Sequence, residues 1–466
     1  MNTNMTRRNI ARLLGGAAAG ALLPFSAKAA WAPNDRKKEN MIIRSQRPLD
    51  CEMPLDGFLN DFTPVEHFFT RSHHYEPKVN ISTWRLEVGG AVSSPKKFTF
   101  EDIQKLPKVE MPAVLECAGN GRGLYEPSMP GIQWEYGAVG NAKWAGVRLA
   151  DVLKLAGADE KANEVMFDGA DVPVGTMPEF QRSIPLGKAM DPDTILAYEM
   201  NGAPLATLHG FPLRLIAPGW AGDCWVKWLT RIEVLRVPFE GFFMKSAYRH
   251  PGQAVKPGSV IDPAKMSPVT KLSTKSVIAT PFDGAEVEVG QPLVIKGVAW
   301  TGEARVTSVN LSLDSGVTWV QPRAGSFTNN YCWRSWEYTF VPQEESYLRI
   351  VAKAGDSNGV VQPISAAWNP SGYMWNAMHS IGVNVVKELK PVGPTATNVS
   401  RSEAPGVYRT NCIGCHEDDV ITQQRLTRGQ WEKEVEKMGR WGSKYKPSDK
   451  DALVDYLAKE FPYKKR

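Results

Sequence analysis

Two cysteines and a histidine near the end of the chain have the spacing of a haem attachment site. Cys412 and Cys415 are three positions apart, and His416 follows directly. In this C-x-x-C-H pattern the thiols bond to the vinyl groups of the porphyrin, and the histidine ligates the iron. A zinc site is the alternative, but it would need further Cys or His ligands, and none follow before position 466. The motif predicts one covalently bound c-type haem.

Met438 is the candidate for the second axial ligand of that iron. It is the only methionine from position 400 to 466 and lies 22 residues beyond His416. A thioether favours ferrous iron, so ligation by His and Met raises the reduction potential. The alternative is an ordinary core methionine. The pattern favours an electron-transfer segment whose iron is held by His416 and Met438.

A third cysteine stands in a different setting. Cys117 ends an apolar run and enters the glycine-rich sequence AGNGRG at 118–123. The neighbouring Arg122 would stabilise a thiolate or an anion, and a thiolate at a strand end can bind a soft transition metal. The alternative for such a cysteine is a buried structural residue in front of a loop.

Four segments taken together resemble one known family. They are FFTRSH at 68–73, LECAGNGRG at 115–123, HGFPLR at 209–214 and VKWL at 226–229. In this order and at this spacing they are similar to the sulfite oxidase family, and the resemblance extends over residues 60–385. It implies a molybdenum cofactor domain followed by an immunoglobulin-like dimerisation domain, and therefore a homodimer.

The resemblance implies a role for each matching residue. Cys117 matches the cysteine whose thiolate ligates molybdenum. Arg71 and Arg122 match arginines that hold the oxyanion substrate, a task suited to a planar guanidinium that binds two oxygens at once. Tyr248 matches a tyrosine that hydrogen-bonds near the metal oxo group, and His73 matches a histidine near the pterin. The residues that would bind the cofactor are Phe69, Arg71, His73, Asp171, His209, Arg214 and Lys227.

One stretch departs from the family pattern. Many members carry a further substrate arginine late in the second domain, near a Trp-Asn-x-x-Gly-Tyr sequence, but here residues 368–376 read WNPSGYMWN and contain no arginine. The loss of one positive charge could weaken the binding of a dianion. It could instead signal a different sulfur substrate, such as protein-bound sulfane sulfur.

The implied activity is that of a sulfite:cytochrome c oxidoreductase. Sulfite would be oxidised to sulfate at a molybdenum–molybdopterin centre, and the electrons would leave through the haem to a soluble cytochrome c. A sulfane-sulfur dehydrogenase and an S- or N-oxide reductase are alternatives within the family. An electron-transfer protein that has lost molybdenum is a fourth possibility, although Cys117, Arg71, Arg122 and Tyr248 are all present.

The elements that must position these residues form three blocks, which predict a multidomain protein. In residues 60–260, apolar runs such as Leu229 to Leu235 alternate with helical stretches such as Ile184 to Ala189, which predicts an α+β molybdopterin-binding domain. Regularly spaced alternating strands then predict an immunoglobulin-like β-sandwich over 276–385, after a linker at 261–275.

A second linker is expected at 386–404, and a small all-α cytochrome c domain at 405–466. The latter shows amphipathic helical patterns from Gln430 to Met438 and from Lys450 to Phe461.

The first 29 residues are typical of an export signal. Arg7 and Arg8 precede a short apolar stretch, and Ala27-Lys28-Ala29 forms a cleavage site, a pattern that predicts a twin-arginine signal and a periplasmic protein. A general secretory signal or a retained anchor are the alternatives.

This segment also explains most of the formal charge of +5, because it holds four basic residues and no acid. The near-neutral remainder argues against nucleic-acid binding, and no later run is long enough for a membrane span. Three disulfides among the six cysteines are possible, but a chain of this length does not need them.

Overall fold

The computed structural model describes residues 31–326, 328–389 and 417–463, together with residues 406, 408 and 412. The described residues from Pro33 onward belong to one compact unit. The predicted signal at 1–29 and most of the linker at 386–404 lie outside the described residues, as do Cys415 and His416. Among the described residues, no helix is long and apolar enough to cross a membrane.

The first domain is built mainly from strands, joined by short helices. Its strands are β1 Ile42–Gln46, β2 Leu49–Glu52, β3 Leu86–Gly90, β4 Lys96–Phe98, β5 Lys108–Glu116, β6 Val139–Arg148, β7 Glu164–Gly169, β8 Gln181–Pro185, β9 Ile195–Met200, β10 Ala203–Pro204, β11 Arg214–Ile216 and β12 Leu229–Leu235. Its helices are α1 Phe100–Gln104, α2 Leu149–Leu155, α3 Leu186–Ala189 and α4 Phe242–Lys245.

Two five-stranded sheets organise this domain. One has the order β10-β9-β6-β5, with β11 also paired to β9, and the other has the order β4-β3-β12-β7-β8. Strand β5 carries the chain from the surface into the core: its first four residues are at least partly exposed, and its last five are buried. Cys117 follows this strand directly, so the sheet delivers its thiol to the interior.

A two-stranded ribbon, β13 Arg249–His250 with β14 Ser267–Pro268, leads to the second domain. That domain is a sandwich of two four-stranded sheets, in the orders β15-β17-β20-β19 and β16-β22-β21-β18. Its strands are β15 Lys275–Thr280, β16 Ala285–Glu288, β17 Leu293–Trp300, β18 Val306–Ser312, β19 Arg323–Ala324, β20 Arg334–Phe340, β21 Ser346–Asp356 and β22 His379–Val386.

Three predicted boundaries were wrong. Ile184 and Pro185 belong to β8 and not to a helix, because Ile184 pairs with Val165 of β7. The segment 261–275 is not a simple linker, since Val269 and Lys275 are buried. Strand β22 extends to Val386 through its parallel pairing with β16, so the second linker begins later than predicted.

The described part of the tail from residue 417 onward contains the helices α5 Asp419–Thr422, α6 Arg428–Arg440 and α7 Lys450–Glu460. The last two coincide with the predicted amphipathic segments. Thr427 and Gln430 form a reciprocal capping box that begins α6, because each side chain satisfies a backbone N–H that the first helical turn leaves free. Apolar residues of α6 and α7 share one core cluster.

A buried carboxylate joins the two large domains. Glu116, the last residue of β5, forms an ion pair with Lys275 of the sandwich, and both side chains are almost fully buried. The same carboxylate accepts hydrogen bonds from Trp300 Nε1 at 2.8 Å and from Asn120 Nδ2 at 2.9 Å. A buried charge is tolerated only when it is paired and hydrogen-bonded, and Glu116 meets both conditions.

We expect Glu116→Gln to lower the free energy of unfolding by about 3 kcal/mol, because it leaves the Lys275 ammonium buried without a counter-charge. Urea denaturation would measure this loss. Glu199→Gln is the matched control: it breaks the ion pair with the half-exposed Lys108, which should cost less than about 1 kcal/mol. Equal losses in the two variants would contradict this view of the domain junction.

Candidate active site

A cavity opens beside the end of β5. Cys117 is held there by its backbone N–H, which donates to Ala138 O at 2.9 Å, and by Asn120 N, which donates to Cys117 O at 2.9 Å. The predicted site residues that line the cavity are Phe69, Arg71, His73, Cys117, Asp171, His209, Arg214, Lys227 and Tyr248. The structure therefore brings together positions separated by up to 179 residues of sequence (69 to 248).

Burial is the largest influence on the pKa of the Cys117 thiol. Burial raises its pKa, and the nearby charges of Arg122 and Arg71 only partly oppose this effect. The charge of Arg122 therefore acts on the thiol in the direction predicted from the sequence, but burial outweighs it in the protein alone. A bound metal ion would supply the missing positive charge, because a coordinating thiol is deprotonated outright.

Arg71 is fixed at the cavity wall by a carboxylate that the sequence did not indicate. Its guanidinium pairs with Asp50 at 3.0 Å, and the same carboxylate accepts a hydrogen bond from Ser72 N at 2.9 Å. Burial raises the pKa of Asp50 to about 6, although the charge of Arg71 opposes this shift. Asp50 lies in β2, where it had no recognisable motif.

His73 and Tyr248 form a hydrogen-bonded pair at 2.8 Å between Nε2 and the phenol oxygen. Burial and the charge of Arg71 lower the pKa of His73 well below its usual range, so the imidazole is neutral. Arg71 donates to His73 Nδ1 at 3.0 Å, which leaves the ring proton on Nε2 to be donated to Tyr248. Burial raises the pKa of Tyr248 well above its usual range, so the phenol keeps its proton. That proton is free to be donated into the cavity.

The cavity lining also includes cationic groups removed from water. Burial, followed by repulsion from Arg214, lowers the pKa of Lys227 to about 7, and burial lowers the pKa of Arg214 to about 9. Arg214 Nε is buried without a hydrogen-bond partner among the described residues. Desolvated cations with an unused donor suit an anionic ligand such as a phosphate.

Asp171 and His209 stand near these cations. Burial raises the pKa of Asp171 to about 6. Burial, together with the charge of Lys38, lowers the pKa of His209 well below its usual range. Lys38 donates to His209 Nε2 at 3.0 Å and to the carbonyls of Val65 and Phe68. Lys38 was missed because an isolated lysine in a leader segment carries no signal in the sequence.

A buried ion pair, Arg182 with Asp223 at 2.6 Å, lies behind Tyr248. The guanidinium carbon of Arg182 is 5.4 Å from the centre of the tyrosine ring. Both residues were missed because they come from different elements, 41 positions apart in the sequence. Arg249, in contrast, donates to the backbone carbonyls of Met244 and Pro263, so it supports a loop and not the cavity.

Arg122 lies beside the cavity lining and not in it. Its side chain is nearly buried, and it donates to Ile132 O at 3.2 Å and to Ser371 O at 3.4 Å. Ser371 belongs to the stretch that lacks an arginine. The ring of Tyr373, from the same stretch, lies 5.1 Å from Arg122 and stacks on Tyr248 with centroids 5.2 Å apart. An aromatic ring and a carbonyl therefore face Arg122 here.

The haem motif is described only in part. Cys412 packs against the apolar cluster of α6 and α7, and burial raises the pKa of its thiol to about 11. Met438 is partly buried near the end of α6. The five described cysteines are all free, and the described residues contain no group of three or more His, Cys, Asp or Glu placed to hold a metal ion.

Comparison with protein families supports the same division of the chain. Residues 73–243 match the oxidoreductase molybdopterin binding domain, and residues 266–386 match the Mo-co oxidoreductase dimerisation domain.

Individual relatives agree with these matches. Mitochondrial sulfite oxidase of Rattus norvegicus is 36% identical over 380 residues, which cover 78% of this chain and 69% of that protein. Sulfite oxidase of Gallus gallus is 35% identical over 77% of this chain and 83% of that protein. Against the Homo sapiens mitochondrial enzyme, which is 37% identical, the match covers 74% of this chain and 65% of that protein.

Among solved structures, the sulfane dehydrogenase SoxCD from Paracoccus pantotrophus superposes with a TM-score of 0.62 and 26% identity. The match covers 80% of this chain and 96% of that one.

The lowered pKa of Lys227 predicts how the stability of the cofactor-free protein depends on pH. The pKa of Lys227 is 10.5 in the unfolded chain and about 7 in the folded protein. Between pH 7 and pH 10.5 the unfolded chain therefore binds more protons than the folded protein, and the free energy of unfolding rises with pH. Below about pH 7 the penalty for a buried charge is fully present. We expect Lys227→Met to stabilise the cofactor-free protein most at about pH 6 and less at about pH 9.

Urea unfolding at the two pH values would measure this difference. Lys245→Met, which removes a mostly exposed ammonium, should show no comparable change with pH. A gain from Lys227→Met that is the same at both pH values would contradict the predicted burial of charge.

Proposed function

Because this chain belongs to the sulfite oxidase family of molybdopterin oxidoreductases, we propose that it oxidises sulfite to sulfate. The observation that carries the proposal is the arrangement of the cavity. Cys117, Arg71 and Tyr248 line the same cavity as the desolvated cations Lys227 and Arg214. A cavity that combines a soft ligand with phosphate-binding groups fits a metal–pterin cofactor.

The molybdenum cofactor, when bound, supplies the redox and oxygen-atom transfer chemistry. In the protein, Cys117 would ligate the metal, since a thiolate is the soft ligand in this cavity. Lys227 and Arg214 would bind the anionic end of the cofactor. The remaining proposed contacts to the cofactor come from Phe69, His73, Asp171 and His209, together with Arg71.

The substrate would be held by guanidinium groups. Arg71 presents a fixed positive charge at the cavity wall, and the nearly buried Arg122 adds a second one beside it. Tyr248 donates its phenol proton to an oxygen atom, while the neutral His73 holds the phenol in place through Nε2. In a cavity shielded from water these charge-assisted hydrogen bonds are stronger than at a surface.

We further propose that the electrons leave through a c-type haem in the tail. Cys412 and Cys415 would attach the porphyrin, and His416 and Met438 would ligate the iron. The sequence motif supports this assignment, as does the apolar cluster against which Cys412 packs. A soluble cytochrome c is the proposed acceptor, so the whole protein would act as a sulfite:cytochrome c oxidoreductase.

Location and assembly are part of the same proposal. The twin-arginine pattern at 1–29 supports export to the periplasm, where c-type cytochromes could receive the electrons. The match to a dimerisation domain over residues 266–386 supports a homodimer.

A sulfane-sulfur substrate is the second candidate. Ser371 and Tyr373 occupy the stretch where many family members carry a third arginine, so the site holds less positive charge for a dianion. The structural similarity to a sulfane dehydrogenase supports this candidate as well.

Arg71→Gln should separate oxyanion binding from the redox chemistry. We expect the KM for sulfite to rise about 10- to 100-fold, the equivalent of one charged hydrogen bond, while the absorbance spectrum of the haem stays unchanged. Steady-state reduction of cytochrome c by sulfite and by thiosulfate would measure it. The control is Arg236→Gln, which alters an exposed guanidinium paired with Asp159. A wild-type enzyme that uses only the sulfane-sulfur substrate would overturn the sulfite assignment.

Met438→Ala should lower the reduction potential of the haem, because the thioether ligand that favours ferrous iron is lost. Potentiometric titration of the holoprotein would measure the change. Met378→Ala, in the stretch just before β22, is the control and should leave the potential unchanged. An unaltered potential in Met438→Ala would show that another group ligates the iron.

A further inference from the structure

The segment that follows the haem motif is anchored to one loop of the catalytic domain, residues 126–133. Gln430 Nε2 donates to Ser128 O at 2.9 Å, and the Tyr463 hydroxyl donates to the carboxylate of Glu126. Gln423 and Gln424, which directly follow α5, are further anchors and reach the far end of the same loop.

These two glutamines clamp the backbone on either side of Ile132. Gln424 Oε1 accepts a hydrogen bond from Gly131 N at 3.2 Å, and Gln423 Oε1 accepts one from Gln133 N at 2.9 Å. Ile132 O belongs to the same peptide group as Gln133 N, and it accepts a hydrogen bond from Arg122 Nη1.

The orientation of both amides is fixed by their other bonds. Gln424 Nε2 donates to Val420 O at 2.9 Å, and Gln423 Nε2 donates to Asp419 O at 2.8 Å and to the carbonyl of Arg44. Because each NH₂ group already faces a carbonyl, each amide oxygen must face the loop. Each glutamine can therefore bind the loop only through its amide oxygen.

Arg122 packs closely against Gly131 and Gly372, so its side chain can move only if these residues move with it. A side chain added at Gly131 would come within 3.0 Å of Arg122 Nη1, and one added at Gly372 would come within 2.8 Å of Arg122 Cγ. Both glycines also have a positive φ, so the close approach depends on their lack of a side chain. The direction of the guanidinium thus depends on where residues 131–133 lie.

We propose that Gln423 and Gln424 are positioning residues for substrate binding: they hold residues 131–133 so that Ile132 O aims Arg122 at the oxyanion. This inference rests on the proposed function, in which Arg122 helps to bind sulfite. It makes the tail a structural part of the substrate site, in addition to its proposed role in electron transfer.

The test uses the holoenzyme with the double substitution Gln423→Ala/Gln424→Ala. We expect the KM for sulfite to rise about 5- to 10-fold, because two neutral hydrogen bonds each contribute a few-fold, while kcat stays the same. Gln424→Glu keeps the acceptor for Gly131 N, so the KM of this variant should stay close to the wild-type value. The matched control is Gln430→Ala/Tyr463→Phe, which removes the two anchors at Ser128 and Glu126 and should leave KM unchanged.

A second readout does not depend on turnover. Phenylglyoxal modifies accessible arginines, and mass spectrometry would give the labelling rate of Arg122 relative to Arg71. We expect this ratio to increase in the glutamine double variant and to stay at the wild-type value in the control.

Equal KM and equal labelling in the two double variants would overturn the positioning role. If the wild-type enzyme does not oxidise sulfite at all, the proposed function fails, and the labelling ratio alone then decides whether the glutamines hold Arg122.

Discussion

The site depends on the carboxylate of Glu116, which fixes the end of β5 at the junction of the two large domains. Lys275 and Trp300 bind it from the sandwich, and Asn120 binds it from the loop that follows Cys117. Asn120 in turn accepts a hydrogen bond from Ala138 N, which ties the same loop to the residue just before β6. The residue next to the proposed metal ligand is therefore held from three directions, so a shift of the backbone at this point would disturb a buried ionic contact.

A second constraint is the imbalance of charge in the cavity. Arg214 is buried and Lys227 is partly buried, and desolvation lowers the pKa of both, whereas burial raises the pKa of the nearby Asp171 to about 6. Such an arrangement is costly in an empty protein. It becomes favourable when an anionic group enters, so the stability of the fold and the binding of cofactor are linked. Cys117 behaves in the same way, since burial raises the pKa of its thiol and a bound metal ion would favour the thiolate.

The sequence predicted the members of this site better than their surroundings. Cys117, Arg71 and Tyr248 could be found because each matches a residue of the family pattern, and β12 was predicted with its observed bounds because its apolar run is bounded by turns. Asp50 and Arg182 could not be found, because an isolated charged residue in a strand carries no pattern. Their roles arise only when distant strands meet.

Boundaries failed for a related reason. Residues 261–275 have a composition typical of a linker, but their backbone pairs with the loop after β11, as when Ala221 N donates to Thr270 O. Long-range pairing of this kind overrides local composition. The anchoring of Gln423 and Gln424 to the catalytic domain was equally hidden, since two adjacent glutamines read as an ordinary polar surface.

The most direct test of the account is an anaerobic titration of the purified holoprotein with sulfite, followed by the absorbance of its haem. The account predicts that sulfite reduces the haem in the wild-type protein and leaves it oxidised in Cys117→Ser, which keeps the tail intact. Haem reduction of equal extent in the Cys117→Ser protein would contradict the claim that the electrons come from a metal bound to this sulfur.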